Sequence, residues 1–299
     1  MAKEAKQKKV KQKKASANIL SAKMQNRMGF LFLLPWLIGF IIFTGVPFFA
    51  TVVLSFFVVE QHVQGFGFVF TGWGNYSLAL FQNLEFNPAM VDYIIMIFTY
   101  TPAIIVVSFI LAYFLNMKIG FRGGFRTIYF LPVIVLSGPV MHEIIDTGST
   151  GAEIDLSGIF VFRMVDYYFP LAGDMLLVLF SNFSIILWFT GIPIVLLITA
   201  MQKINPSLYE AAHIDSASTW QTLFKITIPL IKPTILIATI FTIVQLGSFA
   251  TNPLYDLIRR SIAYASGGLG LASAFAWMYS LVALLIMGLC ALLLRSKNI

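Results

Sequence analysis

Charged residues cut this chain into long apolar runs. No Asp, Glu, Lys or Arg occurs from 28 to 59, 93 to 117, 175 to 202, 233 to 255 or 261 to 294. A helix crosses a bilayer with about 20 mainly apolar residues. The pattern therefore predicts spans at about 28–58, 93–117, 175–202, 233–255 and 269–294, with a weaker one at 127–145 whose far end carries His142 and Glu143. The run 156–162 is too short to cross and reads as an interfacial loop. Pro35, Pro47, Pro102, Pro132 and Pro193 fall inside spans and read as kinks, which membrane helices tolerate because neighbouring groups satisfy the freed carbonyls.

Basic residues orient the spans, because they collect on the cytoplasmic side. With six spans, Lys118, Arg122, Arg126, Lys203, Lys225, Lys232, Arg295 and Lys297 lie inside, and Arg163, Arg259 and Arg260 outside. Deleting the weak span nearly erases this bias. The expected fold is an all-α polytopic membrane protein of six spans with both termini cytoplasmic. Residues 1–27, from Lys3 to Arg27, hold nine of the 20 Lys and Arg and read as a retained, disordered cytoplasmic tail against anionic lipid, with no nucleic-acid partner.

Composition agrees. The 299 residues are 59% apolar and 11% charged, against roughly 25% charged in ordinary soluble domains. The single cysteine, Cys290, excludes an intrachain disulfide framework. No phosphate-cradling G-x-x-x-x-G-K-[ST] run occurs, and no nucleophile elbow. His62, His142 and His213 lack metal-ligand spacing, so no metal site and no catalytic residue is expected. Glu143 is the one ionisable candidate within a span and reads as an interfacial residue. Uphill transport by such a chain would draw its energy from elsewhere.

The segment 205–233 differs from the rest. Asn205 can cap a helix, Pro206 suits its first turn, and Ser207 with Glu210 has capping-box spacing. A short helix ending near Asp215 or Ser216 is expected, then an amphipathic piece with Trp220, Leu223 and Phe224 on one side. Such a knob between spans serves either as a grip for a cytoplasmic partner or as an interfacial loop closure.

The run Glu210-Ala211-Ala212-x-x-Asp215, with Ala217, Ile226-x-Ile228-Pro229 and Pro233, closely resembles the EAA loop of ABC importer permeases. Asn75-Tyr76 in TGWGNY resembles the family's motif after the first span, and Phe125 to Pro132 its entry to the third. Arg27 to Pro47 resembles the first span of the maltose-type sugar permeases. Ser216 stands where the family usually has glycine, and RRSIAYASGG lacks the glycine-rich, proline-containing run common in sugar permeases. A left-handed turn there would cost a residue with a Cβ about 1 kcal/mol or more, so either the turn differs or Ser216 accepts the strain.

The resemblance implies a six-span type I importer domain over 28–299, in a bacterial plasma (inner) membrane, with 205–233 as the cytoplasmic coupling loop. It implies a permease with no ATPase of its own, ATP and Mg being bound by a partner ATPase dimer. A second, different permease chain and an extracytoplasmic solute-binding protein complete the expected assembly. The coupling residues would be Glu210, Ala211, Ala212, Asp215, Ser216 and Ala217. Phe241, Gln245, Ser248 and Asn252 are spaced to share one helix face. With Asn182, Trp188 and Phe189 of the fourth span they would line the path of an oligosaccharide, although interhelical packing suits the same residues. The alternatives are the same machine carrying glycerol phosphate or a peptide, or an ATP-independent carrier.

Overall fold

The computed structural model describes residues 28–62, 65–117, 183–249, 252–263 and 268–294, together with residues 164 and 168. The tail 1–27, the weak span 127–145, Glu143, the loop 156–162 and Asn182 lie outside the described residues.

Five helices among the described residues are long and apolar enough to cross a membrane: α1 (Met28–Leu54), α3 (Phe86–Asn116), α4 (Phe183–Gln202), α6 (Thr219–Gly247) and α8 (Gly268–Leu294). Shorter helices α2 (Gly74–Phe81), α5 (Pro206–Ile214) and α7 (Pro253–Ser261) connect them. At 1.5 Å per residue the 31 residues of α3 reach about 46 Å, enough to cross with tilt. The chain is a multi-pass membrane protein.

Each of two spans contains a π-helical stretch, Ile41–Gly45 in α1 and Leu223–Thr227 in α6. Each lies just before a proline, Pro47 and Pro229. A helical proline has no N–H and pushes against the carbonyl four residues earlier. Those carbonyls belong to Phe43 and Lys225, inside the π stretches, and the wider turn makes room for the ring.

The all-α expectation needs correction. Strands β1 (Phe57–His62) and β2 (Gly65–Phe70) form an antiparallel hairpin, registered from Phe57↔Phe70 to His62↔Gly65. Helix α1 stops at Leu54, because Phe57 onward pairs as a strand instead of extending the span to 58. The Asn75-Tyr76 motif fastens this junction. Asn75 Nδ2 donates to the carbonyls of Ser55 and Phe57, both at 2.9 Å, and Tyr76 hydroxyl donates to Ser55 Oγ at 2.8 Å. Asn75 and Ser55 are buried, and these bonds satisfy carbonyls that neither helix nor strand uses. Helix α8 closes on the same point, since a Cβ at Gly270 would collide with the Phe57 carbonyl.

The other boundaries shift as well. Helix α3 begins at Phe86 rather than 93, α8 begins at 268, and α6 runs from Thr219 to Gly247 rather than 233–255. Lysines 225 and 232 hid this early start, since a charge-free run marks the bilayer-buried part of a helix and not the helix itself.

The core lies where α3 meets α4, α6, α7 and α8. Tyr93, Ile97 and Ile104 of α3 pack with Ile186 and Phe189 of α4, Ile243 and Leu246 of α6, Leu257 of α7 and Phe275 of α8. A second cluster, including Ala112, Leu197, Met201 and Ile231, packs the end of the bundle nearest α5. No residue of α1 is buried. It meets α8 through Phe48 edge-on to Trp277 at 5.0 Å, with Trp277 Nε1 donating to Thr51 Oγ1 at 3.3 Å.

Candidate functional site: the helix between two spans and the helix break above it

Helix α5 stands between α4 and α6 with a defined start and stop. Asn205 Oδ1 accepts from Ser207 N–H at 3.1 Å, and Pro206 fills the first turn, where its missing N–H has no partner to lose. The capping residue is thus Asn205, and the box expected from Ser207 and Glu210 does not form, because Ser207 already lies inside the helix. A capping box does occur one helix later. Gln221 N–H donates to Ser218 Oγ at 3.2 Å and Ser218 N–H to Gln221 Oε1 at 2.8 Å, starting α6.

The end of α5 is a Schellman turn. Ala217 N–H reaches the Ala212 carbonyl at 2.9 Å and Ser216 N–H the His213 carbonyl at 3.1 Å. Ser216 sits at φ 55°, the one positive φ outside glycine among the described residues. Serine therefore takes the left-handed position itself and carries the strain.

Of the residues expected to couple, Glu210, Ala211, Asp215 and Ser216 are exposed, Ala217 is half-buried, and Ala212 is buried. Ala212 and Tyr209 hold α5 to the bundle, Tyr209 hydroxyl lying 3.1 Å from Thr227 Oγ1. Neither Glu210 nor Asp215 forms an ion pair among the described residues. Ile214 beside them is 82% exposed, and Trp220 and Phe224 stack at 5.7 Å, also exposed. A short, capped helix thus presents two carboxylates, a small-residue step and an apolar tip away from the bundle.

The second candidate group does not share one face. Helix α6 ends at Gly247, so Phe241 and Gln245 remain half-buried on it while Ser248 only caps its end. Asn252 lies past the break, fully buried. Its Nδ2 donates to the Gly247 carbonyl at 2.8 Å and its Oδ1 accepts from Leu254 N–H at 3.1 Å, starting α7. Both ends of its amide are engaged in backbone. On α4, Phe189 is buried and meets Phe249 edge-on at 4.9 Å, while Trp188 is half-buried beside the core. Phe249, Tyr93 and Tyr279 also surround this break, the two tyrosine rings 4.8 Å apart. Spacing along one helix finds none of them, because Tyr93 and Tyr279 stand on α3 and α8 and Phe249 lies just past the end of α6. A Cβ at Gly247 would run into the Tyr279 hydroxyl. Among the described residues no three His, Cys, Asp or Glu gather as a metal site.

No family model matches the chain. Curated relatives do. It is 28% identical over 230 residues to the arabinooligosaccharides transport system permease protein AraP of Halalkalibacterium halodurans, covering 75% of this chain and 69% of that protein. It is 29% identical over 227 residues to the lactose transport system permease protein LacF of Rhizobium radiobacter, covering 71% and 70%. To the probable ABC transporter permease protein YesP of Bacillus subtilis it is 27% identical, over 92% of this chain and 91% of that protein. Among solved structures, a bacterial ABC transporter involved in the import of the acidic polysaccharide alginate superposes with TM-score 0.62 at 20% identity, covering 94% of this chain and all of that one. The same type of transporter, in complex with an alginate pentasaccharide-bound periplasmic protein, gives TM-score 0.59 at 19% identity, covering 92% and 96%. Two of these relatives are permeases of sugar transport systems and the third is a probable ABC transporter permease, and the fold of this chain is that of an ABC-transporter permease.

Proposed function

We propose that this chain, a sugar-type ABC permease by its relatives and its fold, forms half of the translocation path of an ATP-driven carbohydrate importer. A second permease chain supplies the other half. A separate ATPase dimer binds ATP and Mg, and an extracytoplasmic binding protein delivers the sugar. Both termini and α5 face the cytoplasm, as the distribution of basic residues favours.

One observation carries this reading: α5, fixed at both ends, presents Glu210, Ala211, Asp215 and Ile214 to solvent. Exposed carboxylates beside small residues allow close approach and charge-assisted bonds to a groove on the ATPase. Closure of the ATPase pair then drags α5, and the packed bundle turns this into rigid-body rocking of the spans. Glu210 and Asp215 anchor and perform no chemistry. Phe241 and Gln245, with Trp188, are the half-buried residues offered to a sugar, whose C–H faces suit aromatic rings and whose hydroxyls suit an amide, while Phe189 backs them from the core. The curated relatives that act on arabinooligosaccharides and lactose support a neutral saccharide over a glycerol phosphate or a peptide.

The test is co-purification of the solubilised assembly with Glu210→Ala and Asp215→Lys beside the parent. The parent brings down an ATPase subunit, and each variant loses it or lowers substrate-stimulated hydrolysis roughly tenfold, within the usual range of coupling between sites. Parent protein arriving without an ATPase, or variants that couple normally, would refute the reading.

A further inference from the structure

A cleft of about 300 Å³ lies between α5 and the span ends beneath it; of the coupling residues only Ala217 lines it, and the candidate path does not use it. Tyr209 and His213 of α5 form one wall, Tyr113 of α3 and Met201 of α4 another, and Thr222 and Thr227 of α6 the third. Met201 and Thr227 are buried and make the floor, while His213 is exposed at the mouth. The Tyr209–Thr227 contact crosses the inner part of the cleft.

The lining decides what fits. Among its described residues there is no Asp, Glu, Lys or Arg, and His213 stands at the mouth, so a phosphate, carboxylate or ammonium finds no ion-pair partner among them on the floor. The hydroxyls of Tyr209, Thr222 and Thr227 already bond within the chain, Tyr209 with Thr227 and Thr222 to the Ser218 carbonyl, each at 3.1 Å, and each keeps acceptor capacity that a hydroxyl-bearing guest uses and a hydrocarbon does not. Two tyrosine rings and the thioethers of Met117 and Met201, interleaved with hydroxyls and the Asn116 amide, suit a compact molecule with apolar faces and a hydroxyl rim. The volume is at the small end for ligand sites. We infer that this cleft binds a neutral, polyhydroxylated molecule of monosaccharide size.

The position gives binding a consequence. One wall belongs to α5 and the others to the spans, so an occupant favours the spacing in which it bound and resists any other. On the permease reading above, on which this consequence rests, a sugar accumulating on the α5 side slows ATP turnover by holding α5 against the bundle. Binding itself rests on the cleft alone.

The experiment uses the full chain in nanodiscs, with Cys290→Ser removing the sole cysteine and Thr222→Cys or Ile214→Cys placing a reporter inside or outside the cleft. Maleimide labelling is timed with D-glucose as the probe and with glycerol at equal osmolality as control. D-glucose slows labelling of position 222 by roughly fivefold or more, the low end of useful coupling, leaves position 214 unchanged, and loses its effect when Tyr113→Leu is added. Absence of protection, equal slowing at both positions, equal protection by glycerol, or protection that survives Tyr113→Leu overturns the inference. ATP hydrolysis by the reconstituted assembly, with D-glucose on the α5 side only, is the second readout. Protection without any associated ATPase activity rejects the permease reading and keeps the site, whereas normal sugar-driven hydrolysis without protection does the reverse.

Discussion

Replacing Gly247 by alanine tests how tightly the break after α6 is packed. The added Cβ would overlap the Tyr279 hydroxyl, with Tyr279 Cζ at 3.3 Å and the Tyr93 hydroxyl at 3.6 Å. Overpacking of this kind costs about 1–3 kcal/mol. Alanine in a helix returns roughly 0.5–1 kcal/mol relative to glycine, so at the middle of both ranges the net loss is about 1 kcal/mol. At roughly 2–4 °C per kcal/mol for a chain of this size, Gly247→Ala should melt about 2–4 °C below the parent. Tyr279→Phe removes the oxygen in the way. In that background the same substitution should become neutral or mildly stabilising, because the helical gain survives and the worst overlap does not. Fluorescence-detected size exclusion after heating, on all four members of the cycle, measures both terms. If Gly247→Ala melts with the parent, or costs as much in the Tyr279→Phe background as it does alone, the overlap is not what holds glycine at this position.

Asn75→Ala strips two carbonyls of their donor and should cost roughly 2 kcal/mol, read as faster proteolysis between 55 and 72 while Asn87→Ala on the exposed face of α3 has little effect. Asn205→Ala should cost about 1 kcal/mol of helix stability, visible as faster hydrogen exchange confined to α5. Ser216→Gly relieves the left-handed strain at some cost in unfolded-state entropy and should change stability by no more than roughly 0.5 kcal/mol either way. Ser216→Val should destabilise by more than about 1 kcal/mol, since a β-branched side chain fits φ 55° worst; equal melting of the two would refute the left-handed assignment.

The spans and the exposed helix were legible because each obeys a local rule. A bilayer demands long apolar runs, and Asn-Pro followed by a short amphipathic stretch announces α5 whatever surrounds it. The hairpin was not legible, because Phe57 to Val59 continues the apolar run of α1 and only tertiary anchoring by Asn75, Tyr76 and Gly270 turns it into a strand. Asn252 misled for a related reason. Its spacing from Ser248 matches a helix that the chain leaves at Gly247, and Tyr93 and Tyr279 are too far off in sequence for periodicity to show that neighbouring helices fill the break.

The π turn before Pro229 amounts to one inserted residue in an otherwise α-helical rod. Each residue of an α-helix advances about 100°, so the insertion puts the part of α6 carrying Trp220 about 100° out of phase with the part carrying Phe241 and Gln245. The surface offered beside α5 and the surface offered within the bundle are thereby freed from one another's sequence period. Removing Lys225 or Ile226 together with Pro229→Ala would restore a single phase and swing Trp220, with Phe224 stacked on it, about 100° around the axis relative to Phe241 and Gln245.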